Sequence, residues 1–436
     1  MLGKYHANLQ TEGMAEQNLP SRDEAVNAVL EAIECKFSPE SVELLARRIS
    51  ETDVGAALRV ASNWKSPGLD GIPYELWKSM KVQYDKQPSK KENNSTQNSP
   101  EPENNDIVDT CNSNNEWTPL PQNHSPEANF EDGEDLNSDC SDNSQTVDSE
   151  SESSGTETDS VEDEDTAPDI LGILAAVFND IEDHGVSELT SFAEGWLCSL
   201  YKKKDRVEMA NYRPLTILNT DYKLITKILA SKLGDVATEM LHESQAGFVK
   251  GRQITDQTRL IEVVLEYAKA TGTNGLIVAL DQEKAYDKIA HDYLWLVLEK
   301  YGIPMSTINL IQTLYSRAET HAMVNGHLGH GYIVNRGVCQ GDPMSCLLFD
   351  LAIEPLASLM RQSPKLKGLK IPGLKEKLIV NLFADDTTVF LNNADKFEDL
   401  QAILDKWCTA STARFNIGKT EIIPLGSDEY RTQEHK

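Results

Sequence analysis

The spacing of apolar and polar residues changes several times along this 436-residue chain. Val26, Val29, Leu30 and Ile33 share one helical face, and Ser21 and Glu24 have capping-box spacing at its head. Further helical runs cover residues 41–49 and 53–64. Helices are also predicted over 169–182, 221–233, 255–270, 291–301, 305–317, 345–361 and 395–415. Pro343 suits the first turn of the helix over 345–361. Strands are predicted over 193–201, within 369–391 and over 422–425, and Asn325-Gly326 marks a hairpin turn. Two Gly and two Pro surround Asp70 in the loop 65–75.

The most pointed pattern is Leu378-Ile379-Val380-Asn381-Leu382-Phe383-Ala384-Asp385-Asp386-Thr387-Thr388-Val389-Phe390-Leu391. Two β-prone runs flank adjacent carboxylates, so the pair is expected at a hairpin bend. Holding both between apolar strands is costly unless a cation joins them. Upstream, Gly275-Leu276-Ile277-Val278-Ala279-Leu280 is an apolar run that ends in Asp281. Three such carboxylates would suit Mg²⁺, which prefers hard oxygen ligands and phosphates. Between them lies the glycine-containing stretch Arg336-Gly337-Val338-Cys339-Gln340-Gly341-Asp342-Pro343-Met344-Ser345, where a backbone can approach a ligand closely. The bland alternatives are an exposed turn for the Asp pair and a helix cap for Asp281.

Residues 81–165 break the periodicity. They are rich in Asn, Ser, Asp, Glu and Pro, and a segment so poor in apolar residues is expected to stay disordered. They also alter the reading of charge. The formal net charge is −29, and residues 101–165 hold 21 Asp and Glu with no Lys or Arg. Removing that −21 leaves about −8 for the rest, which is compatible with a nucleic-acid enzyme. Seven cysteines without a Cys-x-x-Cys pair point to a reducing compartment. No signal peptide is evident in the polar N-terminus, and no apolar run reaches the ~18–20 residues of a membrane span. The expected location is intracellular, cytoplasmic or nuclear, with no membrane partner.

Leu280-Asp281-Gln282-Glu283-Lys284-Ala285-Tyr286-Asp287, Gln340-Gly341-Asp342-Pro343-Met344-Ser345 and Phe383-Ala384-Asp385-Asp386, in this order, resemble the palm of reverse transcriptases. The resemblance is to those of non-LTR (LINE-like) retrotransposons, and more finely to the Tad-like elements of fungi. It implies an α+β right-hand polymerase with fingers and an antiparallel palm sheet backed by helices. The implied organisation is an N-terminal helical region with a pre-fingers segment (1–80), the acidic insert (81–165), fingers (166–270), palm (271–426) and a tail (427–436). On this resemblance the thumb is missing and the chain is truncated.

The implied reaction is RNA-templated addition of deoxynucleotides to a DNA primer 3′-hydroxyl. By resemblance, Asp281, Asp385 and Asp386 hold two Mg²⁺ ions, with Mn²⁺ as a possible substitute, and the Gln282 carbonyl assists. Arg213 would grip the triphosphate through its guanidinium fork. Tyr286 would gate the sugar, Gln340 and Gly341 would lie along the nucleotide, and Lys419 would meet phosphate. Lys250 and Arg252, in Gly247-Phe248-Val249-Lys250-Gly251-Arg252, would follow the template backbone. Asp287 is expected to cap or pair and not to bind metal. A competing reading is an inactive retroelement remnant that folds and binds nucleic acid without turnover. A third is an acidic interaction protein with the palm as scaffold.

Overall fold

The computed structural model describes residues 2–12, 20–34, 37–87 and 167–434. The disorder expected over 88–165 lies outside them. Residues 81–85, also assigned to that segment, instead end the helix Tyr74–Asp85, whose Tyr74 is buried.

Eight strands occur among the described residues: β1 (Glu194–Tyr201), β2 (Tyr212–Leu218), β3 (Gly275–Leu280), β4 (Glu319–Val324), β5 (His327–Ile333), β6 (Val380–Phe383), β7 (Asp386–Asn392) and β8 (Glu421–Leu425). They form two four-stranded sheets. One has the order β2-β1-β4-β5, and the other β6-β7-β3-β8. The second is antiparallel throughout. The first is mixed, because β1 runs parallel to β4. Asn325 and Gly326, at φ 49° and 79°, make the turn between β4 and β5, as their residue types require.

The helix Ser345–Gln362 is buried on nearly every side. Leu348, Phe349, Ala352, Ile353, Leu356 and Met360 are fully enclosed. The helix Phe397–Ser411 packs on it through Trp407, whose Nε1 donates to Tyr293 Oη at 3.1 Å and Ala352 O at 3.2 Å. Each such enclosed large side chain contributes roughly 1.5–3 kcal/mol. This helix core packs against the second sheet, whose Val278, Leu280, Val380, Leu382 and Val389 join the same buried cluster.

Several boundaries differ from the sequence reading. Ser21 lies inside the helix Pro20–Leu30 and not at its cap, with Pro20 in the first turn. The capping box is instead formed by Ser50 and Asp53, at the head of Glu51–Arg59. Pro343 precedes the helix it was expected to open, since Met344 is the N-cap. Residues 369–378 form only a single bridge, Leu369 to Leu378, before the paired strands begin at Val380. Asp395 does not begin a helix; its carboxylate accepts N–H groups from Lys367, Gly368 and Asn392. The expected tail holds a helix, Asp428–Glu434. A helix over Leu2–Thr11 was not predicted at all.

Candidate active site

β3 and β7 pair antiparallel, with Leu280 opposite Thr387. Asp281 is therefore the first residue beyond the end of β3. Phe383 pairs with Asp386, so Ala384-Asp385 is a two-residue turn between β6 and β7. Asp385 stands at the bend and Asp386 opens β7, beside the chain end that carries Asp281. Burial raises the pKa of Asp385, and the charges of Asp386 and Asp281 raise it further; Lys202 opposes them. The three carboxylates are thus near enough to repel one another.

They do not form a closed metal cage. Among the described residues no group of three His, Cys, Asp or Glu side chains has metal-holding geometry. The Asp281 carboxylate is instead paired with Lys419, Nζ to Oδ2 at 2.8 Å, and its carbonyl accepts Asn416 N–H at 2.7 Å. The physical reason is charge. Clustered carboxylates draw the nearest cation, and here that is a half-exposed lysine. The donor set still fits a hard divalent ion, because it offers carboxylate oxygens alone and carries unbalanced negative charge at Asp385.

Asp281 and Asp385 line an open cleft of about 750 Å³. Gln282, Tyr286, Gln340, Gly341 and Lys419 line it too, and Lys202–Lys204 and Arg213 supply its basic rim. Gln282 Nε2 donates to Asp385 O at 3.4 Å, while its Oε1 is buried without a partner. Tyr286 stacks on Phe349, with centroids 4.8 Å apart and planes at 19°. Burial, followed by the neighbouring Cys346, raises its hydroxyl pKa. Gln340 O accepts Thr216 N–H at 2.8 Å, which ties the glycine-containing loop to β2. Gly341 has φ 121°, and a Cβ there would meet Thr216 O at 2.1 Å. Only glycine permits that approach.

The two expected template contacts differ. Lys250 is 84% exposed, with Asp235 3.6 Å away. Arg252 is committed inside the chain: its guanidinium donates to His242 O and Gln245 O at 2.6 Å each and to Leu241 O at 2.9 Å. Its fork closes a loop of carbonyls and does not face an open groove. Asp287 lies in the short helix Ala285–Lys288, and burial raises its pKa to about 6.

Residues that the sequence reading passed over also gather here. Tyr5 and His6, from the N-terminal helix, line the cleft, and Lys284 Nζ donates to Tyr5 Oη at 2.5 Å. Phe248 lines it while remaining 56% exposed. Asp350 is fully buried beneath the cleft, and both its carboxyl oxygens lack a hydrogen-bond partner. One signal was available: Asp350 and Glu354, one turn apart, interrupt an otherwise apolar helix. Nothing in the sequence marked Tyr5.

Comparison with known proteins places this geometry. Residues 201–431 match the family described as reverse transcriptase (RNA-dependent DNA polymerase). The chain is 34% identical to a Transposon TX1 uncharacterized 149 kDa protein of Xenopus laevis, over 53% of this chain and 18% of that protein. It is 27% identical to the Retrovirus-related Pol polyprotein from type-1 retrotransposable element R2 of Nasonia vitripennis, over 53% of this chain and 22% of the relative. The type-2 element R2DM polyprotein of Drosophila melanogaster is 28% identical over 45% of this chain and 18% of its own length. The matches thus span about a fifth of those relatives. No helix among the described residues is long and apolar enough to cross a membrane. The matched region holds all three carboxylates and the whole antiparallel sheet, and the chain belongs to the reverse transcriptase family, of the kind found in non-LTR retrotransposons.

Proposed function

We propose that this chain is an RNA-directed DNA polymerase that extends a DNA primer by deoxynucleotides along an RNA template. The observation that carries the proposal is the meeting of Asp281 and Asp385, from adjacent strand ends, in one cleft with Tyr286, Gln340, Gly341 and the Arg213 rim. In this reading the antiparallel sheet is the palm and the β2–β1 side belongs to the fingers.

Each residue then has a definite task. Asp281, Asp385 and Asp386 would hold two Mg²⁺ ions, which supply activation of the attacking hydroxyl and neutralise charge on the leaving pyrophosphate. Arg213 and Lys202–Lys204 draw the triphosphate to the cleft mouth by charge. The ring of Tyr286, braced flat on Phe349, forms a wall against the sugar. Its bracing matters, since a wall that yields cannot exclude a 2′-hydroxyl. Gln340 and Gly341 would lie along the nucleotide in a loop held against β2, because Gly341 has no Cβ to meet Thr216 O. Lys419, whose Nζ pairs with Asp281, would meet phosphate oxygens beside that carboxylate. Lys250 is left for the template backbone, while Arg252 shapes the loop that presents it.

The experiment is primer extension on poly(rA)/oligo(dT) with Mg²⁺ or Mn²⁺, beside an Asp385→Ala control. The expected result is nucleotide addition that the control lacks. The Asp281–Lys419 pair favours a second reading, a folded remnant that binds duplex without turnover. Duplex binding without extension in either metal would establish that reading and end the first.

A further inference from the structure

Asp385 depends on a turn that is held from outside. Ala384 adopts φ 53°, the left-handed region, where a residue with a Cβ is disfavoured. A two-residue turn containing such an alanine needs support to keep one shape. The support is the segment 244–247. Leu382 N–H donates to Ser244 O at 2.8 Å, and Ala246 N–H donates to Leu382 O at 2.9 Å, so this segment lies along β6 as a short parallel bridge. Gln245 completes it. Its side chain is fully buried, and Oε1 accepts two backbone donors, Gly247 N–H at 2.8 Å and Ala384 N–H at 3.0 Å.

The approach is close enough to require glycine. A Cβ on Gly247 would meet Ala384 N at 2.3 Å. The chemistry of the clamp is one-sided. Both hydrogen bonds use the oxygen of Gln245, while Nε2 is buried with no partner. The amide nitrogen is therefore tolerated, and the acceptor is what the turn uses. Arg252 fixes the other side of Gln245 through its carbonyl. The sequence Gln245-Ala246-Gly247 thus has a common purpose: one acceptor, one bridge and one missing side chain, all against the turn that presents Asp385.

We propose that Gln245 is a positioning residue for Asp385, setting the direction of its carboxylate through Ala384 without touching substrate. Its catalytic consequence rests on the polymerase reading above, whereas the clamp itself does not. Displacing a reacting group by about an ångström can cost on the order of a hundredfold in rate.

Three variants of the full chain test it. Gln245→Met keeps the volume and removes the acceptor. Gln245→Glu keeps an accepting oxygen in the same shape but puts a carboxyl in a buried site, so its exchange is read at pH 5, where burial keeps that carboxyl protonated. Leu404→Ala, in the core helix Phe397–Ser411, lowers stability by removing buried apolar surface outside segments 244–247 and 382–385, and serves as a control. Amide hydrogen exchange is followed by mass spectrometry over residues 380–390. Exchange there should speed up by about tenfold or more in Gln245→Met, and Gln245→Glu should recover most of the protection. In primer extension, kcat should fall by about tenfold or more in Gln245→Met with KM for the deoxynucleotide within about twofold. Unchanged exchange in Gln245→Met overturns the proposal. So does a kcat loss shared equally by Leu404→Ala, or Met and Glu variants with the same exchange at pH 5. If the wild-type chain extends no primer, the polymerase reading falls, and the exchange comparison still decides the clamp.

Discussion

Replacing Asp350 by asparagine is expected to stabilise the protein, and by more at pH 8 than near pH 5. Asp350 is fully buried on the helix Ser345–Gln362, with neither carboxyl oxygen hydrogen-bonded. Burial pushes its pKa up to about 9, helped by the charges of Glu354 and Asp385 and opposed only by Arg252. The folded protein therefore keeps this carboxyl protonated, while the unfolded chain releases the proton above an ordinary value of 3.8. A raised carboxyl pKa contributes stability that is whole below 3.8 and is lost as pH climbs towards 9. The slope is about 1.4 kcal/mol per pH unit, so close to pH 7 the loss is about 4 kcal/mol if the site stays rigid and dry. Local relaxation and water entry would bring it nearer to about 2 kcal/mol. Asparagine has the same shape and no proton to lose. Urea unfolding of both proteins between pH 5 and pH 8 measures the effect, read as the difference in stability at each pH. The difference should grow steadily in favour of Asp350→Asn. A difference that stays constant across that range would mean Asp350 has the same charge folded and unfolded, and the reasoning would fail.

Asp385→Asn should abolish nucleotide addition yet leave the metal-free fold at least as stable, because a carboxylate whose pKa is raised by burial and then by its neighbours Asp386 and Asp281 becomes neutral; thermal unfolding without divalent ions checks the second half. Tyr286→Ala should raise ribonucleotide incorporation while deoxynucleotide addition persists, and unchanged discrimination would leave the tyrosine as a packing partner of Phe349 alone. Gly341→Ala should lower stability by about 2 kcal/mol or more, since the new Cβ collides with Thr216 O; a thermal midpoint unchanged from wild type would show that β2 moves aside freely.

Local patterns announced the elements that carry the chemistry. The apolar run ending at Asp281 became β3, and the two β-prone runs around Asp385-Asp386 became a hairpin. Asn325-Gly326 became a turn because few other residues accept positive φ twice in succession. Those signals are short-range, so twelve or so residues contain them. The order of the three motifs then named the family that comparison bears out.

Other features depend on residues far apart in the chain, and no local pattern carries them. Arg252 looks like a phosphate contact in its own sequence, and only the folded loop shows its fork closed on three carbonyls. Lys419 and Asp281 are 138 positions apart, yet the pairing of β3 with β8 brings that lysine to the carboxylate. Tyr5 reaches the cleft because the N-terminal helix packs on β5 and on Ala285–Lys288. Gln245 meets Ala384 across 139 positions, and neither residue alone signals a clamp. By itself the sequence determined most of the strand and helix segments, though not the helix Leu2–Thr11, and which carboxylates are candidates, because side-chain spacing and backbone preference act within a few residues. The tertiary structure decided which cations answer those carboxylates and what holds the turn beneath them, because electrostatics and packing act through space between segments that only folding brings together.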